Sequence, residues 1–469
     1  MRDVPVASVM QLFKSSGGTL HNCYLLSCIL MHSAQSGMTR SISTFSKVKN
    51  VWKTFVRKTE TPREIQERHD LYKIALASTY RQVRLAQNVQ KTLTPTEANK
   101  SQLEDMFDKA TDSLENETKA HELPIRSLRF HVQSLIQPQA IEILETCKSV
   151  DEKLQINQVD DIQDTVVNTC KPHLLREEAS ILEKLEQINS SHGKSKQSAY
   201  LKQKLNAIQI LSTFYEWESS LSEGEHKELL TEGECDSFGY HLNDNEDINT
   251  SIRYYQVINL TKSLLIRDHL GYSTVALKST ISTAGRGVFL DGFAPAGTLI
   301  NFFPGSIWPK EYLLNVKAAS NIFKNDPKHQ LSIRYDDILV DSRKSPYTVL
   351  DNENSNAFSI GHIVNHPSFA VEPNSSTVIV DFMERMNLKD AGLEKYVPNS
   401  YVKPPMMFGP QAMDRERVSM HGFGLVASRD IENEELFYDY RLSPGNDVSY
   451  PDWYHVCDEE ELKNRWTNS

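Results

Sequence analysis

Cysteine is scarce and scattered. The six cysteines, Cys23, Cys28, Cys147, Cys170, Cys235 and Cys457, form no CxxC pair, which argues against a disulfide framework or a zinc cluster and predicts no metal centre. Long apolar runs are missing too. The longest, Tyr24 to Met31 with Ser27 inside it, is far short of the roughly 20 residues needed to cross a bilayer, so no membrane span is expected. Glycine is nearly absent from residues 60–220, which hold only Gly193. Acid is nearly absent from residues 1–59, where Asp3 alone stands against eight Lys or Arg.

That last imbalance divides the chain. Residues 1–59 carry +7 and the remainder −18, which together make the net −11 of the 469 residues. An acidic body excludes broad sequence-independent nucleic-acid binding, which draws its affinity from neutralising phosphates. A basic protein or peptide partner fits better. Length alone predicts two or three cores, at roughly 150 residues per domain.

Within residues 1–59, Ile42, Phe45, Val48, Val51 and Phe55 line one helical face among Arg40, Lys47, Lys49, Lys53 and Arg57. Two readings stand side by side. One is a mitochondrial transit segment, cationic and amphipathic, which would direct the protein to the matrix; Met38 is then an alternative start. The other is a basic tail, which leaves nucleus or cytoplasm open.

Residues 60–217 are dense in Glu, Gln, Lys and Leu, good helix formers, and are expected to form a helical bundle or hairpin. Thr61-Pro62-Arg63-Glu64 and Thr94-Pro95-Thr96-Glu97 each read as a capping box with proline at the first helical position. Breaks are expected near Pro124, Pro138, Pro172 and Gly193. Ile181, Leu185 and Ile188, then Leu201, Leu205, Ile208, Leu211 and Tyr215, keep a 3.6-residue period and predict packing faces. Residues 218–250, with ten Asp or Glu against Lys227, read as a solvated acidic linker.

From residue 251 the texture changes: twelve of nineteen glycines and thirteen of nineteen prolines fall there, so short strands and turns are expected. Val275 to Leu277, Val288 to Leu290, Leu299 to Phe303, Leu331 to Arg334 and Ile338 to Val340 read as strands. Asp336 and Asp337 would turn a hairpin, and Asn433 suits a left-handed turn position. Gly285-Arg286-Gly287 opens no long helix, which disfavours a dinucleotide fingerprint.

The ordered set GRGVFL at 285–290, FPG at 303–305, GHIVNHPS at 361–368 with Pro373-Asn374, and GLVASRDIENEELFYDY at 424–440 resembles the SET domain of S-adenosylmethionine-dependent lysine methyltransferases. Within that superfamily it is most similar to the divergent SET-domain-containing protein nine group. The resemblance implies an α+β fold: an N-terminal all-α region, then a mostly β SET domain over 251–445 with small sheets and a knot-like C-terminal crossing. An aromatic and acidic tail follows at 446–469.

It also implies S-adenosylmethionine as cofactor and a lysine of a protein or peptide as substrate. Gly285, Arg286, Gly287, Asn365, His366 and Tyr440 would bind the cofactor. Tyr440 would be the catalytic tyrosine, and Tyr438 a second hydroxyl favouring monomethylation. Methyl transfer from a sulfonium is an in-line displacement needing no metal, and alignment can contribute much of about 7–11 kcal/mol. Four features depart from the family pattern: Pro367 within NHPS, Phe303 before the glycine, a longer segment from Asn374 to Glu435, and the absence of zinc-binding cysteine clusters. They point to an alternative, a SET-derived binding module with weak or no catalysis, acting as a helical adaptor. Trp453, Tyr454 or Trp466 would have to close the substrate channel.

Overall fold

The computed structural model describes most of residues 64–81, then 125–154, 169–190, 196–218, 246–309, 331–343, 356–402 apart from Ala370, 418–442, and 450–463 apart from Glu461. The basic segment 1–59, both capping boxes except Glu64, the linker up to residue 245, and Trp466 lie outside the described residues.

The fold is α+β. Among the described residues, four long helices, α1 (Ile125–Leu154), α2 (Lys171–Ser190), α3 (Lys196–Glu218) and α4 (Glu246–Leu270), precede twelve short strands. These are β1 (Tyr272–Lys278), β2 (Arg286–Ala294), β3 (Leu299–Phe302), β4 (Gly305–Trp308), β5 (Leu331–Ile333), β6 (Leu339–Asp341), β7 (Ser375–Ile379), β8 (Phe382–Met383), β9 (Asn399–Tyr401), β10 (Val418–Met420), β11 (Phe423–Ala427) and β12 (Ile431–Glu432). They form four small sheets, ordered β1-β2-β12, β10-β8, β3-β11-β7 and β5-β6-β4-β9. All expected strands are present. Asp337 takes the left-handed conformation at the β5–β6 turn (φ 63°), and Asn433 does so at φ 48°.

Two compact units divide the chain. The smaller contains the described residues up to Leu135, with Ala296–Thr298 and those from Glu459 on. In it, residues 66–75 are helical and Arg129 makes a two-pronged ion pair with the buried Glu67. The larger unit holds α1 from Ile136 on, helices α2 to α4 and, among the described residues, every sheet.

Two expectations need correction. Helix α1 does not break at Pro138 but runs through it. A proline there removes one backbone donor, yet Ile136, Ala140, Ile143, Leu144 and Cys147 are buried on either side of it and keep the helix continuous. The acidic linker does not reach residue 250, because α4 starts at Glu246. No glycine or proline occurs from there until Gly271, so nothing interrupts the helix. Helices before the linker share a core with strands after it. Leu174, Ile181 and Leu185 of α2, Leu201, Ile208 and Leu211 of α3, and Val257 and Leu264 of α4 are buried in one cluster with Val275, Leu277 and Phe289 of β1 and β2.

A buried charge network fastens that joint. Lys204 of α3, 1% exposed, donates to Glu177 of α2 at 2.7 Å and to Asp291 of β2 at 2.6 Å. Arg267 of α4 forks onto both Glu177 oxygens at 2.7 and 2.8 Å and reaches Asp291 at 3.3 Å. Two cations balance two carboxylates, which is the condition for burying charge at tolerable cost. Strand β2 begins at Arg286 and Gly287, so three helices fix the strand that carries the first motif.

Candidate functional site

The site forms where three segments distant in sequence meet. The β1–β2 connection turns at Gly285, whose φ of +68° few side chains tolerate, and open space lies where its Cβ would stand. Ser279 N donates to Gly285 O at 2.8 Å, closing the turn. Residues 434–436 run along β2, with Leu290 N donating to Glu434 O and Leu436 N to Val288 O at 2.9 and 2.7 Å. Segment 364–366 lies on their other side, where Asn365 and Phe437 form a parallel bridge and Tyr438 N donates to Asn365 O at 3.2 Å.

Both limbs of the 365–375 segment therefore hold the 435–438 chain. On the far limb, Asn374 N and Ser375 N donate to Phe437 O, each at 3.1 Å. The Asn374 side chain accepts from Phe437 N and donates to Glu435 O, each at 2.8 Å. This double grip holds the 435–438 chain between the two limbs.

Glu435, which the sequence reading did not single out, is the hub. Its carboxylate is buried and accepts from Ser279 Oγ at 2.6 Å, from Thr280 N at 2.7 Å and from Thr280 Oγ1. A Cβ at Gly287 would overlap it, so glycine at 287 makes room for this carboxylate. The available signal was an acid flanked by the apolar pattern Leu436-Phe437.

The predicted residues fall as follows. Asn365 donates its amide to Arg286 O at 2.8 Å, with Ser279 Oγ at 3.2 Å and Glu435 Oε1 at 3.4 Å, so its side chain ties the first motif to the third. Tyr440 donates its hydroxyl to Val364 O at 3.0 Å, and its backbone N–H points to His366 Nδ1 at 3.3 Å. Gly285, Arg286, Gly287, Asn365, His366, Tyr438 and Tyr440 are thus linked through one connected neighbourhood.

Aromatic rings line the Tyr440 side. Tyr438 lies 4.8 Å from Tyr440 between centroids, and Phe303 meets Tyr438 edge-on at 5.6 Å. Trp453 meets Tyr440 edge-on at 6.1 Å, while Tyr454 stacks on His366 at 4.5 Å. Trp453 is 58% exposed and Phe369 91%, so this wall faces solvent on one side.

Burial pushes the Tyr440 hydroxyl up to about 12 and the Tyr438 hydroxyl well above the usual tyrosine range, with Tyr440 and Asp439 adding to it. Both are neutral phenols near pH 7, and neither serves as an ionised base. Burial also holds His366 below the ordinary histidine range, opposed by the nearby Asp439 carboxylate. His362, on the Gly361–Ile363 turn, is pushed down to about 3 by burial and then by the Arg286 guanidinium.

Cys457 and His455 were not singled out as ligands, because counting cysteines alone ignores histidine. The fold sets both beside His366, with the three ligand atoms within 4.8 Å of one another. Asp439 stands 3.8 Å from His366 Nδ1.

No protein-family model matches the chain, and no curated protein matches it. Among solved structures, the crystal structure of CpSET8 from Cryptosporidium aligns with 52% of this chain and 99% of its own, at 13% identity and a TM-score of 0.22. At that score the likeness carries no argument about fold or activity.

Proposed function

We propose that the chain is an S-adenosylmethionine-dependent protein-lysine methyltransferase of the SET type. The observation that carries this reading is the meeting of the Gly285 turn, the Asn365–His366 segment and Tyr440 around one aromatic-walled site. The cofactor fits the residues present on one specific ground: Gly285 is exposed, left-handed and open where a side chain would otherwise stand, so backbone there can be approached closely.

The backbone of Gly285, Arg286 and Gly287, with that of Asn365 and His366, would hold the cofactor. Bound there, it would supply an electrophilic methyl group. Tyr440 commits its proton to Val364 O, so its oxygen meets a ligand as an acceptor. A lysine entering among Tyr438, Tyr440 and Trp453 loses hydration, which disfavours the ammonium form and leaves a nucleophilic amine. The two neutral phenols add no charge to that surrounding. No step requires a metal.

A second reading has its own support. The Asn365 amide and the Tyr440 hydroxyl are both committed to bonds within the chain, as they would be in a binding module that keeps the crossing and has lost turnover. Transfer from labelled S-adenosylmethionine to a protein extract, followed by mass spectrometry of the labelled residue, separates the two. The methyltransferase reading expects monomethyl-lysine that depends on added enzyme. The binding module expects no incorporation above a Tyr440→Phe control.

A further inference from the structure

We propose that His366, His455 and Cys457 form a zinc(II) site that pins the 450–458 segment to the Asn365–His366 segment. This assignment stands independently of methyl transfer. Cys457 Sγ lies 3.9 Å from His366 Nε2 and 4.0 Å from His455 Nε2, and Cys457 is not in a disulfide. Zinc bonds of about 2.0–2.1 Å to imidazole and 2.3 Å to thiolate set a nitrogen–sulfur edge of about 3.6 Å in a tetrahedron. Both sulfur edges are within a few tenths of an ångström of that value. The imidazole–imidazole edge closes by rotation of His455, which is half-buried.

Ligation has to displace the hydrogen bonds that His366 makes now. Its Nε2 lies 2.9 Å from His455 O, and Nδ1 faces Tyr440 N–H at 3.3 Å, the pattern of an Nε2–H tautomer. Ligation through Nε2 displaces the His455 carbonyl and moves that proton to Nδ1 in place of the Tyr440 N–H contact, and Asp439 Oδ1, 3.8 Å away and beyond hydrogen-bond distance, has to close in to accept it. Asp439 is itself held by Arg441 N–H at 2.9 Å and by the Tyr454 hydroxyl at 3.4 Å. A carboxylate behind a ligating histidine orients the ring and raises its basicity.

The donor set chooses the ion. A thiolate with two imidazoles suits zinc, a borderline-soft ion without geometric preference of its own, whereas hard oxygen-seeking ions such as magnesium or calcium are disfavoured. Both imidazoles bind neutral and Cys457 binds as thiolate, so uptake of one zinc(II) releases one proton to solvent. The fourth position is left to water.

The test uses the full chain. Metal analysis after exhaustive dialysis is expected to find about one zinc per chain, removable by a chelator. Cobalt(II) added to the stripped protein is expected to give tetrahedral absorption with a thiolate-to-cobalt charge-transfer band. That band is expected to vanish in Cys457→Ser, and zinc affinity to fall at least tenfold in His455→Gln. Circular dichroism of the stripped variants, matching that of the stripped parent, excludes misfolding as the cause. A chain that retains no zinc and gives no cobalt band, a band that survives in Cys457→Ser, or copper in place of zinc overturns the assignment.

Discussion

Lys204→Met is expected to cost about 3–5 kcal/mol of stability, the range for removing one partner from a buried charge network. Lys204 joins Glu177 and Asp291 at 2.7 and 2.6 Å. Arg267 alone cannot neutralise both carboxylates, so the methionine variant keeps one uncompensated buried charge. Urea unfolding should show a lower midpoint at unchanged slope. The double variant Lys204→Met with Glu177→Gln should recover part of the loss, because the two residues interact directly. A single-variant cost below about 1 kcal/mol, the level of an exposed ion pair, would mean that the network is not a joint.

The same network sets an acid limb. Burial pushes the Glu177 carboxyl up, but Arg267 and Lys204 more than reverse this and leave it at about 2, against 4.5 ordinarily. A folded-state value below the unfolded one means that the stabilisation is complete above about pH 4.5 and is lost as pH falls toward 2. By linkage this amounts to about 3 kcal/mol. Stability of Glu177→Gln should therefore vary less with pH over that interval than stability of the parent.

Tyr440→Phe is expected to lower the methyl-transfer rate about 10²-fold, the scale of loss when a reacting group is misplaced by about 1 Å. The variant keeps the ring and its contacts with Tyr438 and Trp453 while deleting one oxygen. That oxygen donates to Val364 O, so about 1 kcal/mol of stability should also be lost, visible as a small shift in Tm. Cofactor affinity should change little. A rate within twofold of the parent, with the same small Tm shift, would identify Tyr440 as a strand tyrosine that serves the crossing only.

The strands and the site neighbourhood were legible because their signals are local. Glycine, the Asp336-Asp337 pair and Asn433 mark turns wherever they occur, and short β-branched runs between them become strands. The pairing of the 435–438 chain was not legible, since no local pattern reveals that Asn374 grips Phe437 across 63 residues. Helix α4 was hidden by an average: glycine and proline crowd the region after 251, but none falls before Gly271. Pro138 misled for the opposite reason, because burial on both sides outweighed one missing donor. Glu435 was hidden as an ordinary strand-edge acid. Its partners Ser279 and Thr280 lie more than 150 residues away, a separation that composition and periodicity do not register.

Calorimetric titration of the folded chain with S-adenosylmethionine tests for a cofactor site at the Gly285 turn. Saturable one-to-one binding is expected, weakened at least tenfold in a folded Gly285→Val variant whose side chain enters the open space. Absence of heat at high protein concentration, with the parent chain folded, would contradict it.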